Sequence, residues 1–241
     1  HPTTIMPNFW PAGTAVRPEP LGGDTDLQID AIWQYLERGR EARTPHGIRR
    51  EPIYYGPGDD GRAVVFRRQY RGIGKRGIGV GYASGINIAF DSAQLRLGSI
   101  WPGEFGEMSG VWRGQGSGVV NEQSRDVVRF PTGPAIARLP APGSPWPGLP
   151  EQKRPQGYQF KGYTLDEAGR PTVRYSVDDL EVADRFIDSD GELTRTITFD
   201  RPAPEGYYLL LGAPEHRKLA ITTPANAFQF ESRELRLPLA G

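Results

Sequence analysis

The stretch that decides the fold is YQFKGYTLDEAGRPTVRYSV, residues 158–177. Aromatic and β-branched residues recur at about every second position on both sides of a turn-forming segment, Asp166–Gly169. These residues are Tyr158, Phe160 and Tyr163 before the turn and Val173, Tyr175 and Val177 after it. A period of two, interrupted by a turn, predicts an antiparallel hairpin. A second hairpin is predicted at Asp188–Gly191, between Phe186 and Leu193.

Similar short runs of β-branched and aromatic residues continue in both directions along the chain. Before the hairpin we predict strands at Ile53–Tyr55, Ala63–Tyr70, Gly77–Tyr82, Ile86–Phe90, Leu95–Trp101, Gly110–Arg113, Val127–Phe130 and Ala135–Leu139. After it we predict strands at Glu181–Ile187, Leu193–Phe199, Tyr207–Gly212, Leu219–Thr222, Phe228–Phe230 and Glu234–Leu237. Many short strands with no helices between them predict a mainly β protein, an antiparallel β-sandwich or supersandwich with one short N-terminal α-helix.

The composition supports this fold class and excludes several functions. Gly (31) and Pro (23) make up more than a fifth of the 241 residues, which disfavours long helices. Lys and Arg together equal Asp and Glu at 29 each, so no excess positive charge favours nucleic acid. The chain has no cysteine, which excludes disulfides and covalent haem attachment within it. No apolar run is long enough to span a membrane, so no membrane span is predicted.

One helix is predicted near the N-terminus, over Thr25–Arg38. Thr25 and Gln28 have the spacing of a capping box, and Gly39 is a suitable stop. Its apolar residues recur at helical spacing and are Ile29, Ile32, Trp33 and Leu36. We therefore predict an N-terminal segment at residues 1–39, a polar linker at 40–51 and a β-sandwich domain at 52–241.

The N-terminal segment carries a resemblance to a known family. Residues 5–11 read IMPNFWP, and the predicted helix reads TDLQIDAIWQYL at residues 25–36. This combination resembles the C-terminal half of class I cytochrome c domains, above all those fused to larger proteins in planctomycete-like bacteria. The stretch GIGVGYASGINIAFDSAQLRLGSIWPGEF, residues 77–105, also resembles the region that follows such modules.

The resemblance implies roles for a few residues. Met6 would be the axial thioether ligand of a haem iron, and Pro7 would hold the loop that presents it. Trp10 and Trp33 would pack near the haem. The family's C-x-x-C-H motif is absent, so the resemblance implies that haem c is attached upstream or on a partner chain. We expect the segment HPTTIMPNFW to be a processed end or to follow further sequence.

Two alternatives use other residues. Trp101, Trp112 and Trp146, with Arg113, form an aromatic set of the kind that stacks on sugar rings, so the β domain could bind or process carbohydrate. Core packing is the ordinary role of tryptophans such as these three.

A weaker alternative is a copper enzyme that uses the N-terminal His1, with His46 or His216 as the second ligand.

The leading hypothesis is a portion of a c-type-cytochrome-containing electron-transfer protein with an accessory β-sandwich domain. Its partner would be a redox protein or an upstream cytochrome segment, in the periplasm or another extracytoplasmic compartment. No G-x-S-x-G motif or comparable arrangement predicts a catalytic residue.

Overall fold

The computed structural model describes residues 20–41, 52–112, 118–148, 154, 156–189, 191–212, 228–229 and 235–239. The chain divides into two compact units, residues 1–51 and 52–241. No helix within the described ranges is long and apolar enough to cross a membrane.

The first unit contains the predicted helix, α1, which spans Thr25–Glu37. The residue that caps it is Asp24 rather than the predicted Thr25. The carboxylate of Asp24 accepts hydrogen bonds from the backbone N–H groups of Asp26 and Leu27, both at 3.0 Å. Gly39 has a φ of 49°, the left-handed conformation that favours glycine after a helix, so the predicted stop is confirmed.

The second unit contains the strands and one short helix, α2 (Ser109–Trp112). Before residue 140 the described strands are β1 (Tyr54–Tyr55), β2 (Val64–Tyr70), β3 (Ile73–Gly81), β4 (Ile86–Asp91), β5 (Arg96–Pro102), β6 (Glu104–Glu107), β7 (Val119–Gln123), β8 (Val128–Arg129) and β9 (Ile136–Arg138). After it they are β10 (Tyr158–Leu165), β11 (Pro171–Val177), β12 (Leu180–Ser189), β13 (Glu192–Phe199), β14 (Tyr207–Gly212), β15 (Phe228–Gln229) and β16 (Leu235–Pro238).

These strands form three sheets. An eight-stranded sheet has the order β1-β6-β7-β2-β3-β4-β5-β8, and two four-stranded sheets have the orders β10-β11-β12-β13 and β15-β16-β14-β9. Neighbouring strands are antiparallel, except that β2 and β7 pair in parallel at Gln69–Val119 and Tyr70–Val120. The predicted mainly β, antiparallel, sandwich-like fold is confirmed.

The hairpin that opened the sequence analysis joins β10 to β11. Its turn is fixed by the Asp166 carboxylate, which accepts hydrogen bonds from the backbone N–H groups of Ala168 and Arg170 at 3.0 and 2.9 Å. The second predicted hairpin joins β12 to β13, which pair from Ser189–Glu192 onward. Both hairpins were predictable because turn chemistry and strand alternation are local signals.

The main core lies where the inward rows of the sheets meet. Strand β12 shows the pattern, because Leu180, Val182, Asp184 and Phe186 are buried while the residues between them are more exposed. The largest fully buried side chains of this core are Tyr82, Phe90, Tyr175, Phe186, Ile78, Ile88 and Leu95. Strand β4, inside the eight-stranded sheet, is covered on both faces, so its residues are buried continuously rather than alternately.

A second core packs on a glycine stripe in β3. Gly77, Gly79 and Gly81 lie on one face of this central strand, and the rings of Tyr70 and Phe105 lie directly against them. A Cβ at Gly81 would be 2.9 Å from the Cγ atom of Phe105, closer than packing allows. Strand β3 is central in its sheet, and its register with β2 shifts between Arg68–Gly77 and Tyr70–Ile73. The glycine-rich sequence therefore accommodates both an irregular pairing and a slot for aromatic rings.

Part of this second core departs from the predicted strands. Gly110–Arg113 was predicted as a strand, but Ser109–Trp112 forms α2. Strands β6 and β7 were not predicted, because their sequences contain glutamate, asparagine and glycine rather than an apolar alternation. Long-range pairing with β1 and β2 forms them instead.

Candidate functional site

Helix α1 presents an apolar face that no residue among the described ranges buries. Ile29, Ile32, Trp33 and Leu36 are 44%, 48%, 60% and 61% exposed, and the helix has no buried residue. The indole N–H of Trp33 donates a hydrogen bond to the carboxylate of Glu37 at 2.9 Å. Trp33 and Leu36 are therefore not core residues of the part of the chain that the structure describes. The face has the geometry of a surface that packs against something else.

The other residues that the cytochrome resemblance singled out lie outside the described residues. These are Met6, Pro7 and Trp10. The histidines of the copper alternative, His1, His46 and His216, and the predicted sugar contact Arg113 also lie outside them. Within the described part of the chain, no three His, Cys, Asp or Glu side chains are grouped as metal ligands.

Trp101, a predicted sugar contact, is a core residue. It is 0% exposed, and its indole N–H donates to the backbone carbonyls of Glu104 at 3.3 Å and Phe105 at 3.0 Å. Its ring stacks on Phe105 at 5.9 Å between centroids and lies 6.1 Å from Tyr70. Since protein side chains cover its faces, Trp101 has no surface on which a sugar can stack, and this predicted role is wrong.

Trp112 is the exposed member of the predicted aromatic set. It ends α2 and is 47% exposed. Its ring contacts Tyr55 and Phe66 edge-on, at centroid distances of 5.8 and 6.0 Å. These two neighbours belong to the margin of the second core. Trp112 is therefore held by aromatic edges while part of its own surface is open.

Trp146 lies in a different place and is half-buried. Its indole N–H donates to the carbonyl of Pro134 at 2.9 Å, and the guanidinium of Arg236 lies 5.2 Å from its ring centroid. It packs beside Leu139 and Tyr208 in a small cluster of its own. The protein thus uses Trp146 to anchor the loop after β9, and the three tryptophans do not form one surface.

A buried charged group was not predicted from the sequence. The Asp184 carboxylate, 0% exposed, accepts hydrogen bonds from both Nε and Nη2 of Arg195, at 2.9 and 2.6 Å. The Tyr175 hydroxyl also donates to Asp184, at 3.3 Å. Burial alone would lower the pKa of Arg195, but the charge of Asp184 raises it above its usual value. Burial, and then Asp184, raises the pKa of Tyr175.

Of this group, Arg195 lines a cleft that Arg96 also lines. Arg96 is itself buried, and its Nη2 atom lies 3.5 Å from the Oδ2 atom of Asp91. Its Nε donates a hydrogen bond to the side-chain oxygen of Gln94 at 3.0 Å. Each guanidinium therefore has a carboxylate partner, so the cleft has no excess positive charge with which to attract an anion. Each pair links neighbouring strands of one sheet, β12 to β13 and β4 to β5. Alternating patterns could not reveal them, because Asp184 occupies a core position.

Comparison of the chain with models of known protein families, with curated proteins and with solved structures found no match.

Proposed function

We propose that this chain is part of an electron-transfer protein of the c-type cytochrome class, in which α1 closes a haem-bearing segment and the β unit is an accessory domain. The observation that carries the proposal is the uncovered apolar face of α1. The proposal also rests on the resemblance of IMPNFWP and the helix sequence to the C-terminal half of such cytochromes.

The energetics favour a covering partner for α1. A helix of 13 residues is marginal in water when nothing packs on it. Covering side chains that are now about half exposed would contribute roughly 1 kcal/mol each. Ile29, Ile32, Trp33 and Leu36 lie on one face, so a single flat apolar surface can cover them together. The side of a haem domain is such a surface.

The residues of this chain fit a haem group in one part and not in another. The chain can supply a thioether ligand through Met6, but without a cysteine it cannot attach haem covalently. The attachment site, and any further iron ligand, would therefore come from a segment upstream or from a partner chain. When bound, haem c would supply a one-electron couple, and a thioether ligand would raise its potential. We propose a periplasmic or otherwise extracytoplasmic location, as for the cytochromes that the sequence resembles.

The experiment compares one variant on each face of α1 in the intact protein, purified without denaturant from the extracytoplasmic fraction. Ile32→Lys places a charge on the apolar face, whereas Gln34→Lys places the same charge on the opposite face. We expect haem c to be present in all three proteins, and its midpoint potential to fall in Ile32→Lys but not in Gln34→Lys, because only the first disturbs the segment that presents Met6. A wild-type protein that carries no haem, or equal potentials in all three, would refute the proposal.

A second candidate function is carbohydrate binding at Trp112. The observation that favours it is the open surface of this ring, held edge-on by Tyr55 and Phe66. A glycan array is the assay, with Trp112→Ala as the test variant. Trp146→Ala is the matched control, because Trp146 is engaged by Arg236. Binding that survives Trp112→Ala, or no binding to any glycan, removes this candidate.

A further inference from the structure

The edges of the three sheets differ in how they are protected from pairing with other chains. Four of the six edge strands among the described residues are short: β1, β8 and β15 have two residues and β9 has three. The other two, β10 and β13, are the edges of one sheet and have eight residues each. Long open edges are sites at which another strand can add.

Strand β10 is the better protected of these two long edges. Strand β10 has a bulge between Phe160 and Gly162, and Lys161 lies within it. Bulges and lysines are the usual devices that keep an edge from pairing. Strand β13 has neither: it pairs with β12 in unbroken register along its whole length. Its sequence, ELTRTITF, contains no proline or lysine and is rich in β-branched residues.

The outward hydrogen-bonding groups of β13 can be identified. Asp200, the residue after the strand, donates its backbone N–H to Glu181 of β12 at 3.2 Å. The backbone N–H groups of successive residues point to opposite sides of a strand, so those of Thr194, Thr196 and Thr198 also face β12. Those of Leu193, Arg195 and Ile197 face away, and within the described part of the chain no backbone group accepts them.

We propose that β13 is the interface between two copies of this chain, paired antiparallel about a two-fold axis at Thr196. In this register Thr196 faces Thr196 of the second copy, and Thr194 faces Thr198. On the inner face, Leu193 meets Phe199. The result is a continuous eight-stranded sheet formed from two four-stranded ones.

Self-complementarity selects a second copy as the occupant. The exposed row of β13 consists of Thr194, Thr196 and Thr198 between its ends, and cross-strand threonine pairs are favourable. The inner row is only partly buried in one copy, so pairing covers more apolar surface. A register centred on Arg195 would place two guanidinium groups opposite each other, which disfavours it. The register centred on Thr196 places Glu192 opposite Asp200 at each end, but both side chains are exposed, so water and salt screen their repulsion.

The first test uses the absence of cysteine from residues 1–241. Opposed residues of a non-hydrogen-bonded pair have Cα atoms about 4.5 Å apart, within the range of a disulfide. We therefore expect Thr196→Cys to form a disulfide-linked dimer under mild oxidation. Thr164→Cys, on the protected edge of the same sheet, is the matched control. Equal cross-linking of both variants, or none with Thr196→Cys, overturns the proposal.

The second test measures mass in solution by light scattering after gel filtration, with no cross-link. Wild-type protein is expected to be dimeric, and Thr196→Lys to be monomeric because two ammonium groups would face each other across the axis. Thr164→Lys should remain dimeric, with unchanged circular dichroism in both variants. A monomeric wild type would overturn the proposal. So would a Thr196→Lys protein that stays dimeric and becomes monomeric only when Ile32→Lys is added on α1.

Discussion

Replacing Gly79 by alanine adds one methyl group to the face of β3 that holds the aromatic rings. The new Cβ would overlap the Oη and Cζ atoms of Tyr70 and would lie 2.9 Å from the Cζ atom of Phe105. Tyr70 is 0% exposed and Phe105 is 1% exposed, and the Tyr70 hydroxyl donates to the carbonyl of Phe66 at 2.9 Å. Neither ring has free space into which it can move.

The expected loss of stability follows from these contacts. Overpacking of a well-filled core costs about 1–3 kcal/mol, and two fixed rings place Gly79→Ala at the upper end. Displacing Tyr70 also removes a buried hydrogen bond, about 1 kcal/mol. The lower entropy of the unfolded alanine chain offsets roughly 0.4–1 kcal/mol. We expect a net loss of about 3 kcal/mol and a fall in Tm of roughly 6–12 °C.

The assay is urea unfolding followed by tryptophan fluorescence, with Gly110→Ala as the control. Gly110 is also in the second unit, but beyond its own helix no described residue has an atom within 4 Å of a Cβ built there. We expect the control to change the free energy of unfolding by less than about 1 kcal/mol. Adding Tyr70→Phe to Gly79→Ala should recover part of the loss, since it removes one overlapping atom. Equal stabilities of Gly79→Ala and Gly110→Ala would refute the packing argument.

Three further predictions concern charges and the helix cap. Asp184→Ala leaves the Arg195 guanidinium buried without its carboxylate, so unfolding by urea should show a loss of about 3–5 kcal/mol. Asp179→Ala breaks only the exposed ion pair with Arg201 and should lower the free energy of unfolding by less than about 1 kcal/mol. Similar losses for Asp184→Ala and Asp179→Ala would contradict the role of the buried pair. Burial raises the pKa of Asp166, but hydrogen bonds from a backbone N–H and two arginine side chains outweigh this and lower it. Because the folded pKa is depressed, the stability that Asp166 contributes is present at neutral pH and is lost as the pH falls through that pKa. Free energies of unfolding measured against pH should therefore differ between wild type and Asp166→Asn at neutral pH and converge in acid; a constant difference would contradict this. Asp24→Ala removes the cap of α1 and should destabilise the helix by about 1 kcal/mol, seen as lower far-UV ellipticity, whereas an unchanged spectrum would show that the cap is dispensable.

Local signals made much of the fold predictable. The β10–β11 hairpin has alternation on both sides of a turn whose Asp166 makes the hydrogen bonds that turns require. Helix α1 has an apolar face at helical spacing and a Gly39 stop. In both cases the residues that decide the structure are close together in sequence, so a single chain segment carries the information.

Other parts depend on contacts between distant residues. Trp101 lies on a strand of the eight-stranded sheet with both faces covered, so a tryptophan there is core on either face, and its sequence surroundings do not show this. The stripe of Gly79 and its neighbours acquires its meaning only from Tyr70 and Phe105, which arrive from other strands. Asp184 occupies a core position because Arg195 of the next strand neutralises it. None of these pairings follows from spacing.

The candidate site was predictable only as a helix face. Sequence spacing identified Ile29, Ile32, Trp33 and Leu36 as one apolar stripe, and the structure shows that stripe exposed. Periodicity cannot distinguish an apolar helix face that is buried within its own chain from one that is exposed, because both have the same spacing of apolar residues. Exposure is the property that only coordinates supply.

The most direct test of the proposed function is a potentiometric titration of the intact haem-bearing protein with Met6→Ala. The chain has two methionines, and the other, Met108, is 0% exposed in the second core. Met108→Leu is thus a conservative control that keeps the core filled. The account predicts a large fall in midpoint potential with Met6→Ala and none with Met108→Leu. Equal potentials in all three proteins would contradict it.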